Sequence, residues 1–80
     1  MNREQVFETV KKYILEQLPV KPERVTEDAK MVDDLGADSA NLMMLVMDLE
    51  AEFDLTVDDD AIGTIRTVGD IVDAIMKVKG

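Results

Sequence analysis

The sequence contains neither cysteine nor histidine among its 80 residues. Without cysteine, no disulfide and no thiolate metal site can reinforce the fold. The two absences together exclude Ser-His and Cys-His nucleophiles, HExxH zinc sites and histidine proton shuttles. If the chain takes part in chemistry, another molecule must perform it.

Long apolar runs are missing as well. No stretch approaches the roughly 20 apolar residues of a membrane-spanning helix, and no signal-peptide pattern opens the chain. We therefore expect no membrane span and a cytoplasmic location, or else the mature form of an organellar protein. Hydrophobic residues make up 46% and charged residues 34% of the sequence, which favours a folded protein over a disordered one. The length predicts one small domain over residues 1–80.

Positive charge is missing from the middle of the chain, and the formal net charge is −9. No Lys or Arg occurs from Met31 to Ile65, where the sequence has ten carboxylates: Asp33, Asp34, Asp38, Asp48, Glu50, Glu52, Asp54, Asp58, Asp59 and Asp60. Such a field repels phosphate backbones and anionic membranes and attracts basic protein surfaces. We expect protein partners with basic patches and no nucleic-acid partner.

The apolar periodicity predicts four helical segments and no strand, which makes a small all-α four-helix bundle with three longer helices and one short helix. The first helix begins at Asn2, where Asn2-x-x-Gln5 reads as a capping box, and stops at Pro19. A long polar loop follows. Val25 and Val32 are its predicted buried contacts.

The second helix is predicted from about Asp38 or Ser39 to Phe53, after a sharp turn that Gly36 permits. Its apolar residues at helical spacing supply one face of the core.

The remaining two helices carry their own start signals. A short third helix starts near Asp58, whose side chain is predicted to cap it, and ends at Gly63 and Thr64. The last helix begins at a second capping box, Thr67-x-x-Asp70.

The second helix is preceded by the run Asp34-Leu35-Gly36-Ala37-Asp38-Ser39. Taken alone, Asp38 and Ser39 are explained by capping, since both residue types are favoured at helix starts. The run as a whole resembles the signature of the acyl carrier protein family, an Asp-Ser-Leu core within Asp-Leu-Gly-Ala-Asp-Ser. The resemblance continues through residues 27–29 and 31–35, 45–47 and 49–53, and 67–70, and it covers essentially the whole chain. It is closest to the stand-alone, type II bacterial carriers.

The resemblance implies that Ser39 carries a 4′-phosphopantetheine arm, transferred from coenzyme A by a phosphopantetheinyl transferase. It also implies that Asp38 supports the attachment site and helps recruit the transferase's metal. A helix N-terminus suits a phosphate, because it presents free N–H groups and partial positive charge. The arm would hold acyl groups as thioesters for acyl ligases, synthases or acyltransferases of fatty acid, polyketide or related pathways. The chain would be a monomeric carrier and not an enzyme.

The second helix is apolar on two faces. On a helical wheel centred on Leu42, the core face lies within about 60° and comprises Leu45, Val46, Leu49 and Phe53. The opposite side comprises Ala40, Met44, Met47 and Ala51, with Asp48 and Glu52 along its rim. The methionines could fill gaps in the core. Because one core cannot easily bury two opposed stripes, we predict instead that these six residues form a partner-docking face.

The same helix departs from the family pattern. The residue after the serine is usually leucine and is Ala40 here, and fatty-acid carriers usually place acidic residues where Asn41, Met44 and Ala51 stand. These differences favour a specialised carrier that serves a dedicated ligase or synthase.

Two other interpretations fit parts of the sequence. A non-carrier acidic helical interaction module would explain the charge and the helices but not the serine run. The Asp58-Asp59-Asp60 run suggests calcium binding, yet it lacks the DxDxDG spacing and the distal glutamate. We predict a solvated helix start there and no metal site.

Overall fold

Four α-helices follow one another along the chain. In the computed structural model, which describes residues 2–79, they are α1 (Arg3–Gln17), α2 (Ser39–Phe53), α3 (Asp59–Ile62) and α4 (Val68–Lys79), with a 3-10 turn at Pro22–Arg24. The only β-type pairing within residues 2–79 is an isolated antiparallel bridge between Lys30 and Thr67. The predicted all-α four-helix bundle is therefore confirmed.

Both predicted capping boxes are present. At the start of α1, Asn2 Oδ1 accepts the N–H of Gln5 (2.8 Å) and Gln5 Oε1 accepts the N–H of Asn2 (3.0 Å). At the start of α4, Thr67 Oγ1 accepts the N–H of Asp70 (3.1 Å) and Asp70 Oδ2 accepts the N–H of Thr67 (3.1 Å). Each box satisfies N–H groups that have no acceptor inside the helix.

The predicted cap of α3 is wrong in one respect. Asp58 is the residue before the helix, but its side chain makes no capping hydrogen bond. The carboxylate is exposed, so water can satisfy it, and a helix of one turn offers little for a cap to stabilise. Gly63 follows the last residue of α3, as expected.

The core is built from one face of each long helix, and α1 packs against both α2 and α4. Its helical members are Val6, Val10, Ile14, Leu45, Val46, Leu49, Phe53, Val68, Ile71, Val72 and Ile75. The predicted core face of α2 is thus confirmed, with Leu42 half-buried at its edge.

The loop between α1 and α2 buries a different set of residues from the one predicted. Val25 is buried as expected, but Val32 is 63% exposed, and Met31 and Leu35 occupy the interior. The reason is a local turn in which the N–H of Leu35 donates to the carbonyl of Lys30 (3.1 Å). Residues four apart share one side of such a turn, so Met31 and Leu35 point inward and Val32 points outward.

This loop is fastened to the start of α4. The N–H of Gly69 donates to the carbonyl of Glu27 (2.9 Å), and the N–H of Val68 donates to that of Ala29 (3.0 Å). Across the same junction, the Arg3 guanidinium contacts Glu27 (2.5 Å) and Asp73 (2.6 Å). These contacts fix the position of the loop that leads into α2.

Candidate functional site

The segment before α2 is a tight, well-connected turn. Gly36 has φ +73°, in the left-handed region that glycine adopts without steric cost. Directly after it, Ala37 is buried and its N–H donates to the carbonyl of Met31 (2.9 Å). Met31 in turn donates its own N–H to the carbonyl of Arg66 (2.9 Å). These bonds hold the backbone two residues before Ser39 against the body of the protein.

Ser39 is the first residue of α2 and its side chain is exposed. Asp38 precedes it in an extended conformation, with φ −103° and ψ −177°. Asp38 Oδ1 accepts the N–H of Asn41 (2.9 Å), and Asn41 Oδ1 accepts the N–H of Asp38 (3.2 Å). This is a third capping box, and it fixes Asp38 beside the serine.

The capping box also determines which backbone donors are free. Asp38 takes the N–H of Asn41, whereas the N–H groups of Ser39 and Ala40 lie in the first turn, where no helical acceptor exists. An anion on Ser39 Oγ would meet these donors and the positive end of the helix dipole. Asn41 was not predicted as a site residue, although the spacing Asp38-x-x-Asn41 carries the signal.

Comparison with known proteins identifies the family of this chain. The family described as "Phosphopantetheine attachment site" matches residues 8–75. The chain is 53% identical to the acyl carrier protein of Thermotoga maritima, over 99% of this chain and 98% of that protein. It is 48% identical to the acyl carrier protein of a Sulfurovum species, over 91% and 97% of the two chains. The chain belongs to the acyl carrier protein family.

The fold agrees with this family as well. The solved acyl carrier protein of Enterococcus faecalis superposes with a TM-score of 0.80 at 38% identity, covering 96% of this chain and 98% of that chain. The chain therefore carries acyl groups on a covalently attached 4′-phosphopantetheine, and it is a carrier for enzymes and not itself an enzyme. The alternative of a non-carrier acidic module is wrong.

The exposed hydroxyl of Ser39 and the free N–H groups beside it fit such a group. When bound, 4′-phosphopantetheine supplies a thiol that holds acyl groups as thioesters. In this chain Ser39 would supply the hydroxyl, the start of α2 its free N–H groups and Asp38 the capping carboxylate.

The outer face of α2 is apolar and open to solvent. Met44 is 58% and Met47 61% exposed, so the interpretation that they fill gaps in the core is wrong. Ala40 and Ala51 are exposed on the same side. Met43, which the sequence reasoning did not single out, is 44% exposed and extends this surface.

Asp48 and Glu52 make contacts that the sequence did not predict. Gln17 Nε2 donates to Asp48 Oδ2 (2.9 Å), and the Tyr13 hydroxyl donates to Glu52. The hydrogen bond to Glu52 is the main reason that the pKa of Tyr13 is raised to about 12. Both carboxylates are therefore held by α1.

A small apolar cavity of about 10 Å³ lies between α2 and α4, lined by Val46, Leu49, Val57, Ile65, Ile71, Ala74 and Ile75. Its volume is about that of one water-sized probe, so the space between the two helices is small. At its edge, Glu50 Oε2 accepts the N–H of Val57 (2.8 Å) and ties the end of α2 to the loop that follows.

The acidic run at 58–60 lies exposed at the start of α3. Across the described part of the chain, residues 2–79, no three acidic side chains are grouped so that they could hold a metal ion. Within the same residues, no helix is long and apolar enough to cross a membrane.

Proposed function

We propose that Ser39 is the residue to which 4′-phosphopantetheine is attached, through a phosphodiester on its Oγ. The observation that carries this proposal is the exposed hydroxyl at the first position of α2, next to N–H groups without a helical acceptor. Ser39 is also the only serine in the sequence. Asp38 supports the site by fixing the first turn of α2. Its carboxylate is next to Ser39 in the sequence, so it can help to recruit the metal ion of the transferase.

We further propose that the 80 residues form one carrier domain that works as a cytoplasmic monomer. Its partners are a phosphopantetheinyl transferase and acyl ligases, synthases or acyltransferases, which carry basic patches for the exposed carboxylates near Ser39 and in α3. Acyl carrier proteins in general interact with synthases and transferases. The departures at Ala40, Asn41, Met44 and Ala51 support a specialised carrier that serves a dedicated ligase or synthase.

The outer face of α2 is the proposed docking face for these enzymes. Ala40, Met44, Met47 and Ala51 form its surface, and the exposure of the two methionines supports this role. Asp48 and Glu52 border the face.

The attachment site is tested by mass spectrometry after incubation with coenzyme A and a phosphopantetheinyl transferase. The wild-type protein should gain one phosphopantetheine, whereas Ser39→Ala should remain folded and gain none. Thr56→Ala is the matched control, because Thr56 is another exposed hydroxyl, and its loading should equal that of the wild type. A modified Ser39→Ala protein would place the arm on another residue.

A second variant separates the two roles of Asp38. Asp38→Asn retains a side-chain oxygen that can cap α2 but removes the charge. The variant should melt close to the wild type and load more slowly. Loading at the wild-type rate would limit Asp38 to capping.

A further inference from the structure

Two basic residues border the long segment that has no positive charge, and the fold brings them together. Lys30 directly precedes that segment and Arg66 directly follows it. The isolated antiparallel bridge pairs Lys30 with Thr67, the residue after Arg66. Next to it, the N–H of Met31 donates to the carbonyl of Arg66 (2.9 Å). Lys30 and Arg66 are therefore neighbours in space, although the whole acidic segment separates them in the sequence.

Between the two side chains lies an open cleft with a volume of about 270 Å³. We call it the Lys30–Arg66 cleft, and it is lined by Lys30, Val32, Asp33 and Arg66. Val32 is 63% exposed and places an apolar surface beside the two positive charges. The lining has two cations and one carboxylate, so it is positive overall in a protein whose net charge is −9.

The charged ends of both basic side chains are available to a ligand. Within residues 2–79 the salt bridges are those of Arg3, so neither Lys30 nor Arg66 has an ion-pair partner there. One guanidinium nitrogen of Arg66 donates to the carbonyls of Gly63 (3.2 Å) and Ile65 (3.3 Å). The other two guanidinium nitrogens and the Lys30 ammonium are donors that suit a carboxylate.

A group attached to Ser39 can reach this cleft. Ala37 donates its N–H to the carbonyl of Met31, which in turn donates to Arg66. Residues joined by such a bond have Cα atoms about 5 Å apart, and consecutive Cα atoms are about 3.8 Å apart, so Ser39 lies roughly 20 Å at most from Arg66. An extended 4′-phosphopantetheine arm is about as long as five residues, or roughly 17 Å. The side chain of Arg66 and an acyl group on the arm cover the remaining distance.

The tether indicates which anion occupies the cleft. An exposed ion pair is weak by itself, but a flexible tether holds its end near the site at millimolar effective concentration. The anion that the arm can bring there is a carboxylate at the free end of an acyl group. The small cavity between α2 and α4 cannot accept this carboxylate, because its lining side chains are all apolar and leave a buried charge unpaired.

We propose that the Lys30–Arg66 cleft binds the free carboxylate of an acyl group carried on the arm. This inference rests on the proposed attachment at Ser39, and it names a class of cargo: acyl groups that end in a carboxylate. Val32 contacts the methylene groups of such a cargo. Asp33 repels its carboxylate and limits the affinity, so that the cargo remains available to enzymes.

The test uses the holo protein with two end groups of nearly the same shape. The chain has no cysteine, so the arm carries the only thiol and can be alkylated selectively. Isotope-labelled iodoacetate adds a carboxymethyl group, and iodoacetamide adds the neutral carbamoylmethyl group. Two quantities are measured by NMR: the backbone amide shifts of residues 30–33 and 66, and the titration of the labelled carboxyl group.

The carboxymethyl protein should differ from the carbamoylmethyl protein at these amides. The difference should vanish in 1 M salt, where the Debye length is about 3 Å. The pKa of the attached carboxyl should be lower in the wild type than in Lys30→Gln/Arg66→Gln, with a change in proton affinity of about twofold or more, as an exposed ion pair gives. Asp33→Asn should lower this pKa further, because it removes a repelling charge from the cleft. Such a gain cannot come from a damaged fold.

Lys21→Gln/Arg24→Gln is the charge-matched control. It removes the same two residue types from exposed positions outside the cleft, and neither residue has a salt bridge within residues 2–79. The control should change the proton affinity of the attached carboxyl less than half as much as the cleft pair does. Asp28→Asn, at another exposed position of the same loop, is the corresponding control for Asp33→Asn. Melting curves should show that all four variants are folded.

The proposal is overturned if the two alkylated proteins have equal amide shifts at residues 30–33 and 66. It is also overturned if a control variant changes the pKa as much as its cleft counterpart, since the effect would then be one of net charge. If the unalkylated arm already causes the full shift relative to the apo protein, the phosphate of the arm occupies the cleft and the proposal fails. A peptide map that finds the arm on a residue other than Ser39 refutes the attachment instead, so the two failures are distinct.

Discussion

Replacing Gly36 with alanine should destabilise the protein even though the new methyl group meets nothing. Gly36 has φ +73°, and a Cβ built there has no heavy atom within 4 Å. The whole cost therefore lies in the backbone, because an L-residue in the left-handed region is less stable by about 1–2 kcal/mol. The loss of stability would fall on the turn that directly precedes Ser39 and the start of α2.

Gly63 offers a matched control at the end of α3. It has φ −65° and ψ −17°, a right-handed conformation that any residue adopts. An added Cβ would lie 3.5 Å from the carbonyl oxygen of Asp60, an ordinary van der Waals contact. Gly63→Ala should be neutral or should stabilise the fold by up to about 1 kcal/mol, because alanine restricts the unfolded chain.

Thermal unfolding followed by circular dichroism measures the difference. For a domain of this size, 1 kcal/mol corresponds to about 4–8 °C in Tm. We therefore expect Gly36→Ala to lower Tm by at least about 4 °C and Gly63→Ala not to lower it. Gly36→Asn should lose less than Gly36→Ala, since asparagine enters the left-handed region more readily. Equal Tm values for the two alanine variants would refute the assignment of the cost to the backbone of Gly36.

Two pH-dependent measurements test the hydrogen bonds made by Tyr13 and by Asp70. Tyr13 is the only tyrosine and the chain has no tryptophan, so ultraviolet absorbance should report its pKa of about 12 directly. Glu52→Gln should return that pKa toward 10.0, and an unchanged titration would contradict the role of Glu52. The N–H groups of Arg66 and Thr67 lower the pKa of Asp70 below 3.8. Its contribution to stability is therefore present above 3.8 and lost as the pH falls through the lower folded value. Urea unfolding at neutral pH and in acid measures how much of the free energy of unfolding is lost on acidification. This loss should be smaller for Asp70→Asn than for the wild type. Equal losses would contradict the stabilising role of the Asp70 carboxylate.

The parts of the fold that depend on neighbouring residues were predictable from the sequence. The capping boxes at Asn2 and Thr67 each join residues three positions apart, and the backbone hydrogen bonds within the turn around Gly36 join residues at most six positions apart. The same is true of the start of α2 at Ser39. Local steric rules and hydrogen bonds between residues close in sequence are enough to specify such features.

The loop between α1 and α2 marks the limit of that reasoning. Val32 was predicted to be buried because it is apolar, but the turn around Lys30 sends Met31 and Leu35 inward instead. Apolar character alone could not choose between adjacent residues, since the choice depends on the backbone conformation of the turn.

By itself, the sequence determined the helices, the core face of α2 and the serine run that identifies the family, because these are encoded in local order and periodicity. Only the tertiary structure decided that Met44 and Met47 are exposed and that α1 holds Asp48 and Glu52. Gln17 and Asp48 are separated by 31 positions in the sequence, and Tyr13 and Glu52 by 39. They exist because α1 packs beside α2, and the geometry of that packing depends on the whole core and on no single segment.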